Sequence, residues 1–158
     1  MRIHEYATTV TWTGNLGAGT VDYRAYSRAS TIDAPGKRSI QGSADPAFRG
    51  EPDGWNPEEL LVASLSTCHM LWYLHLAAVA GVVVTAYADE AAGAMEEGPS
   101  GGRFQRVTLR PHVTISPGSD LEAARDVHRE AHARCFIANS VNFPVDCEPT
   151  VVSSDGGR

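Results

Sequence analysis

The dominant pattern along the chain is a long apolar segment near its middle. Residues 60–80 contain neither glycine nor proline and are apolar around almost the whole circumference of a helix. The segment before it supplies a cap, a proline suited to a first helical position and two acidic side chains for the positive end of the dipole: Asn56, Pro57, Glu58 and Glu59. We therefore predict a central helix over about 56–80, ended by Gly81, that runs through the middle of the molecule or through a dimer interface.

The residues before this helix predict strands and loops. Residues 4–12 and 20–26 alternate in β-forming types around a turn-rich segment at 15–19, which predicts an opening hairpin. A turn signal at 34–37 and the proline-containing segment 43–54 predict loops. The first 50 residues are thus expected to form a β part that leads directly into the central helix.

The residues after the helix predict a β-α-β part over about 82–152. Three segments are expected as strands: 82–87, 104–115 and 145–152. Residues 93–102 are expected as a loop, 120–134 as a second helix and 153–158 as a loose tail. This order predicts one α+β domain over 1–158, with antiparallel β-sheets wrapped around long central helices.

Composition narrows the functional classes. The chain has 158 residues, of which 42% are hydrophobic, enough for one core, and its net charge of -6 argues against a nucleic-acid surface. Polar residues within the apolar stretch argue against a membrane span, and residues 1–14 lack the apolar run of a signal peptide. We therefore expect a cytoplasmic protein whose three cysteines serve redox chemistry, metal binding or core packing rather than a disulfide framework.

Two of the cysteines lie near helices. Cys68 sits about three turns into the central helix, where a cysteine is most often an inert core residue. Cys135 follows the second helix, and the nearby His132 and Arg134 could favour a thiolate. Spacing alone does not place the two cysteines in contact.

Two separated motifs are recognisable when taken together. The first is Asn-Pro-Glu-Glu-Leu-Leu at residues 56–61, followed by a helix of small residues that reaches Cys68 ten positions after Glu58. The second is Cys135 after a helix, with Asn-Ser at 139–140 and a final strand behind it. In this order, over about 49–152, they resemble the OsmC/Ohr family, the osmotically inducible protein C and organic hydroperoxide resistance proteins.

The resemblance implies an intertwined OsmC-like homodimer and a cysteine-based peroxidase that needs no cofactor. It places the peroxide-reacting thiolate at Cys68, its disulfide partner at Cys135 and the site glutamate at Glu58. The site arginine is placed at Arg49 by position. Arg24 and Arg28, on the predicted second strand, are the alternatives. One departure is that Phe136 stands where family members commonly have proline after the second cysteine, which affects the local turn.

The implied chemistry is self-consistent. A Cys68 thiolate would attack the peroxide O–O bond and form a sulfenic acid, which Cys135 would convert to a disulfide. The resemblance also implies an external dithiol reductant of the lipoyl type. Apolar neighbours would favour organic hydroperoxides over hydrogen peroxide: Leu65, Leu71, Trp72 and Phe136.

Helix geometry limits the role of Glu58. Ten residues at about 1.5 Å each place Glu58 roughly 15 Å from Cys68 along one axis. If Glu58 serves the site, we predict that it comes from the partner chain of a dimer or that the helix bends.

Other constellations support alternative functions. His128 and His132 are four residues apart and precede Cys135 by about one turn, a spacing that can bind a metal, although no further ligand is fixed by spacing. Histidines such as His69 are more often packed in a core, although His69 could tune the neighbouring Cys68, and Cys147 reads as a structural residue of the last strand. A non-catalytic protein that binds an apolar small molecule or a metal is the alternative to a peroxidase.

Overall fold

The computed structural model describes residues 1–154, and the chain divides into two units, Met1–Leu60 and Leu61 onward. The α+β class is confirmed by the observed mixture of sheets and helices. The prediction of one domain over 1–158 stays a prediction. Of the predicted tail, Ser153 belongs to the last strand, and residues 155–158 lie outside the described residues.

The first unit contains an antiparallel sheet of three short strands in the order β1-β2-β3: β1 Thr9–Trp12, β2 Ser30–Asp33 and β3 Ile40–Gly42. The predicted strand at 20–26 is wrong, because β1 pairs with β2 and residues 20–26 form turns and bends. The cause is local: the Arg28 guanidinium donates to the carbonyl oxygens of Tyr23 and Tyr26, at 2.6 Å each, and stacks on both rings. The predicted loop at 43–54 holds only a short 3-10 turn, Pro46–Phe48.

The central helix, α1, spans Pro57–Val79, as predicted. Its start is a reciprocal capping box: the N–H of Glu59 donates to Asn56 Oδ1 at 2.8 Å, and the N–H of Asn56 donates to Glu59 Oε2 at 3.3 Å. Gly81 adopts a φ of 73°, a left-handed conformation that glycine reaches without strain, just past the helix end.

The second unit contains two three-stranded sheets, β4-β7-β9 and β5-β6-β8, and a second helix, α2. The elements are β4 Val84–Asp89, β5 Ala92–Gly98, β6 Gly101–Leu109, β7 Pro111–Ile115, α2 Leu121–Arg134, β8 Val145–Cys147 and β9 Thr150–Ser153. The predicted loop at 93–102 is wrong: it forms the hairpin β5–β6, where Gly101, with a φ of 112°, permits a tight turn after Gly98. The predicted strands 104–115 and 145–152 are each divided in two.

The two sheets of the second unit are mixed rather than antiparallel as predicted. β8 runs parallel to β6, and β9 runs parallel to β7. Parallel neighbours need a crossover connection, and α2 lies in the chain between the two partners of each pair. This crossover brings the last two strands beside the earlier ones and places Cys147 at the end of β8.

The second unit has two groups of buried apolar residues. One joins α1 and α2 to β7 and β9 through Tyr73, Ile115 and Ala124, and the other joins α1 to β6 through Leu65 and Leu109. By length and composition α1 could also cross a membrane, a test that core helices of water-soluble proteins pass as well. Its residues Leu65, Tyr73 and Leu76 are buried in these cores.

Candidate functional site

Cys68 lies at an apolar cleft of the second unit. The cleft has a volume of about 390 Å³ and is lined by Cys68, Leu71, Trp72, His75 and Phe136. The first four follow a spacing of three and four residues, so they share one face of α1. Cys68 itself is half-buried, which leaves its thiol accessible from the cleft.

Cys135 is buried where α2 ends. Its backbone N–H donates to the carbonyl oxygen of His132 at 3.2 Å, and the N–H of Ala138 donates to its sulfur at 3.5 Å. Burial, together with the nearby Cys68 side chain and against the opposing effect of the Ala138 N–H, raises the pKa of Cys135 to about 11. Both cysteines are free thiols, and Phe136, the residue after Cys135, lines the same cleft as Cys68.

Phe136, the departure from the family pattern, forms a wall of the cleft. Its ring meets Trp72 edge to face, with centroids 5.4 Å apart. The Arg134 guanidinium lies 5.7 Å from the Trp72 ring centroid and pairs with Glu130 at 2.6 Å. An aromatic residue after Cys135 thus extends the apolar surface at the thiol pair.

Glu58 and the candidate arginines belong to the first unit. Glu58 is half-buried and lines a cleft together with Arg28, Trp12, Tyr26 and other residues of that unit. Of the three candidate arginines, Arg28 is the one that lines this cleft with Glu58, whereas Arg24 and Arg49 are exposed. The assignment of Glu58 and an arginine to the chemistry of Cys68 stays a prediction.

Arg49 nevertheless has an unusual backbone. It ends the 3-10 turn with a φ of 67°, the only non-glycine residue with positive φ among residues 1–154. Its guanidinium lies 6.0 Å from the Tyr23 ring centroid. Such a conformation costs on the order of 1 kcal/mol and marks Arg49 as held in place by its surroundings.

A second group of chemically competent side chains lies in the second unit. His69 Nε2 is 3.0 Å from His128 Nδ1 and 3.6 Å from the sulfur of Cys147. Burial lowers the pKa of His69 to about 4, with His132 adding to the effect, and burial followed by the charge of His69 lowers the pKa of His128 to about 3. Both imidazoles are therefore neutral at pH 7.

This cluster replaces the metal set considered from the sequence. His128 meets His69, which in turn meets Cys147, whereas the helical spacing suggested a set of His128, His132 and Cys135. The partners of His69 stand 59 and 78 positions away along the chain, so periodicity carries no signal for them. The sequence offered one signal for this cluster. Each of the two helices has a histidine on its apolar face, His69 and His128, and Cys147 is a third cysteine without an assigned role.

Comparison with known proteins assigns the family. Residues 50–150 match the family model described as OsmC-like protein. The chain belongs to the OsmC-like family. An OsmC-like protein of unknown function from Vibrio cholerae is 36% identical, with 94% of this chain and 100% of that chain covered and a TM-score of 0.85. The resemblance inferred from the two cysteine motifs is thus confirmed.

More distant members share the OsmC-like fold. An organic hydroperoxide resistance protein from Elizabethkingia anophelis is 20% identical, covers 97% of this chain and 99% of its own, and has a TM-score of 0.66. A protein of the same description from Legionella pneumophila is 17% identical, covers 96% and 98%, and has a TM-score of 0.65. A search of curated proteins finds no match to the chain.

Proposed function

We propose that this OsmC-like protein reduces organic hydroperoxides to alcohols through the thiol pair Cys68 and Cys135. The observation that carries the proposal is an apolar cleft lined by Cys68 and by Phe136, the residue next to Cys135, whose pKa the Cys68 side chain helps to raise. Two relatives of the same fold are named organic hydroperoxide resistance proteins, which supports the same chemistry. The apolar lining would accept the organic group of the peroxide.

The different surroundings of the two thiols suit two different steps. Cys68 faces the cleft and can meet the peroxide, whereas Cys135 is buried and its raised pKa keeps it protonated at rest. In the first step the Cys68 sulfur attacks one oxygen, the O–O bond breaks, and the alcohol leaves with a proton, which produces a sulfenic acid. In the second step the Cys135 sulfur attacks the sulfenic sulfur, and a disulfide and water form.

Turnover requires two electrons from outside the protein. An external dithiol, of the lipoyl type by family resemblance, would reduce the Cys68–Cys135 disulfide and become a disulfide itself. A reducing cytoplasm would supply it, in line with the expected location. Glu58 and Arg28 line one cleft of the first unit, so we favour Arg28 over Arg49 as the arginine that accompanies Glu58.

The proposed active form is the homodimer predicted from the sequence. Leu71 and Phe136 are 59% and 67% exposed in the single chain, and Val79 is 72% exposed. Large apolar side chains grouped at a helix surface commonly mark an interface. The mass of the protein in solution, measured by light scattering, tests this part.

The decisive experiment is consumption of cumene hydroperoxide by the purified protein with dihydrolipoamide as reductant. Cys68→Ser should reduce the rate by at least about 100-fold, because the hydroxyl is a far weaker nucleophile than a thiolate. Thr67→Ser, an exposed neighbour on the same helical turn, should keep the rate. Unchanged activity in Cys68→Ser would exclude the mechanism.

A non-catalytic binding protein is the second candidate, and the nearly wholly apolar lining of the cleft favours it. It predicts that an apolar fluorescent probe binds the protein and that peroxide is not consumed. This second function would be supported if the probe binds Cys68→Ser and the unmodified protein with the same affinity and neither protein consumes peroxide.

A further inference from the structure

Three metal-binding side chains converge inside the second unit, away from the cleft lining. They are His69 from α1, His128 from α2 and Cys147 from the end of β8, and their ligand atoms all lie within 4.8 Å of one another. His69 is 0% and His128 is 3% exposed. Three separate elements therefore fix the positions of these atoms.

Within the described residues, the inner atoms of this cluster contact one another: His69 Nε2 meets both His128 Nδ1 and Cys147 Sγ. The other nitrogen of each ring, His69 Nδ1 and His128 Nε2, is buried without a partner there, and a metal on the inner atoms would leave it so. The two nitrogens that face each other, His69 Nε2 and His128 Nδ1, stand 3.0 Å apart.

We propose that His69, His128 and Cys147 bind a zinc ion through Nε2, Nδ1 and Sγ. In a tetrahedral zinc site, Zn–N bonds near 2.0 Å and Zn–S bonds near 2.3 Å set N···N at about 3.3 Å and N···S at about 3.5 Å. The observed distances are 3.0 Å between the nitrogens and 3.6 Å between His69 Nε2 and Cys147 Sγ. The two rings need to separate by only a few tenths of an ångström.

The charges in this region suit a divalent cation. A metal takes a histidine in its neutral form and a cysteine as the thiolate, so zinc binding would release the thiol proton of Cys147. The resulting thiolate and the carboxylate of Asp89, which acts on His69, would together balance the two charges of the ion.

Hydrogen bonds and ring stacking already hold the side chains around the three ligands in place. Asp89 is held by the N–H of Arg110 at 2.6 Å and by the Ser66 hydroxyl at 2.5 Å. The His128 ring stacks on Tyr73 with centroids 4.0 Å apart, which fixes its orientation. Three protein ligands leave one coordination position for water or a small ligand.

Cobalt(II) is the spectroscopic probe for this site. The full-length protein, treated with a chelator and titrated with cobalt, should bind one ion per chain and develop a thiolate-to-cobalt charge-transfer band. One equivalent of zinc should abolish that band. Absence of a thiolate band in the unmodified protein would overturn the proposal.

Substitutions assign the ligands. Cys147→Ser should abolish the charge-transfer band, and His69→Asn should weaken cobalt binding by at least about 100-fold. Cys68→Ser and His112→Asn, an exposed histidine of β7, should keep both the band and the affinity. Loss of the band in Cys68→Ser with retention in Cys147→Ser would contradict the assignment.

Two measurements keep the test independent of folding and of peroxidase activity. X-ray absorption of the zinc-loaded, unmodified protein should show one sulfur and two imidazole nitrogens, and a zinc shell without sulfur would refute the site. Peroxide consumption is assayed on the same samples. If Cys68→Ser loses peroxide consumption but keeps the cobalt band, the zinc site does not depend on the peroxidase site. The two proposals can then be rejected independently.

Discussion

Cys68 and His69 are neighbours in the chain and yet occupy opposite kinds of environment. Cys68 is half-buried at an open apolar cleft, whereas His69 is fully buried beside His128 and Cys147. Successive residues of a helix point about 100° apart, so one step along α1 crosses from one region to the other. A helix that is apolar on nearly all sides can therefore serve two chemically different places.

The thiols of the two regions differ in what surrounds them. Cys135 and Cys147 both have a raised pKa because of burial, but Cys135 interacts with a second thiol and Cys147 with a histidine nitrogen. A neighbouring thiol permits a disulfide, while neighbouring imidazoles permit metal ligation. The cleft beside Cys68, here called the open side of α1, thus suits redox turnover. The buried cluster of His69, His128 and Cys147, here called the closed side, suits metal binding and stability.

Removal of the second thiol should have the largest effect on the open side. In Cys135→Ser the steady-state rate with a dithiol reductant should fall on the order of 100-fold, because no partner remains to convert the sulfenic acid to a disulfide. One equivalent of peroxide per chain should still be consumed. Mass spectrometry with a sulfenic-acid trap should find the adduct on Cys68.

The matched control is Ala133→Ser on the exposed side of α2. It should keep full turnover and accumulate no adduct. Full turnover in Cys135→Ser would mean that the external thiol resolves Cys68 directly.

On the closed side the largest effect should be on stability. His128→Ala removes a ring that stacks on Tyr73 and leaves His69 Nε2 without its partner, so we expect a loss of roughly 3 kcal/mol in the free energy of unfolding. Leu71→Ala, at a side chain that is 59% exposed, should cost less than about 1 kcal/mol. Urea unfolding in the presence of a chelator measures the free energy of unfolding of both variants. Equal losses in His128→Ala and Leu71→Ala would contradict the difference between the buried cluster and the open cleft.

Acid should also act mainly on the closed side. His69 and His128 have folded-state pKa values of about 4 and about 3, below the ordinary value of 6.5. Between these values the unfolded chain binds more protons, so their contribution is fully present above pH 6.5 and is lost as the pH falls towards 4 and 3. The groups that act on them are Asp89 and His132, with Tyr73 and Cys147 in contact.

Urea unfolding at pH 7 and pH 4.5 measures this loss. We expect a decrease on the order of 2 kcal/mol from each histidine. His69→Gln should flatten the profile, whereas His112→Gln at an exposed position should leave it unchanged. An identical pH profile for His69→Gln and the unmodified protein would show that His69 does not couple folding to protons.

Local signals were sufficient for part of this arrangement. The capped start of α1 and its end at Gly81 predicted the helix, and the motifs around Cys68 and Cys135 predicted the family. They did so because caps, glycine and motif spacing act within a few residues of one another. The pairing of the two thiols followed only from the family resemblance and stays a prediction. The aromatic alternation at 20–26 misled, since Arg28 uses the carbonyl oxygens that a strand would pair.

Long-range pairing was out of reach for the same reason. The glycine-rich segment 93–102 reads as a loop until its pairing with β6 is known, and the parallel partners of β8 and β9 depend on how α2 returns the chain. His69, His128 and Cys147 meet only after these choices are made. Periodicity reports that a residue is buried, but it does not report which residue lies opposite.

The smallest predicted effect tests whether the open cleft selects its substrate. Phe136 is 67% exposed and contacts Trp72 edge to face, so Phe136→Ala should leave stability nearly unchanged. Loss of this apolar wall should raise the KM for cumene hydroperoxide by about 3–10-fold, equivalent to about 1 kcal/mol, with little change in kcat. The KM for hydrogen peroxide, which has no apolar group, should stay the same. Phe136→Leu, which keeps an apolar side chain, should restore most of the affinity. If the KM values for both peroxides rise equally, Phe136 positions Cys135 rather than the organic group, and the cleft does not discriminate between peroxides.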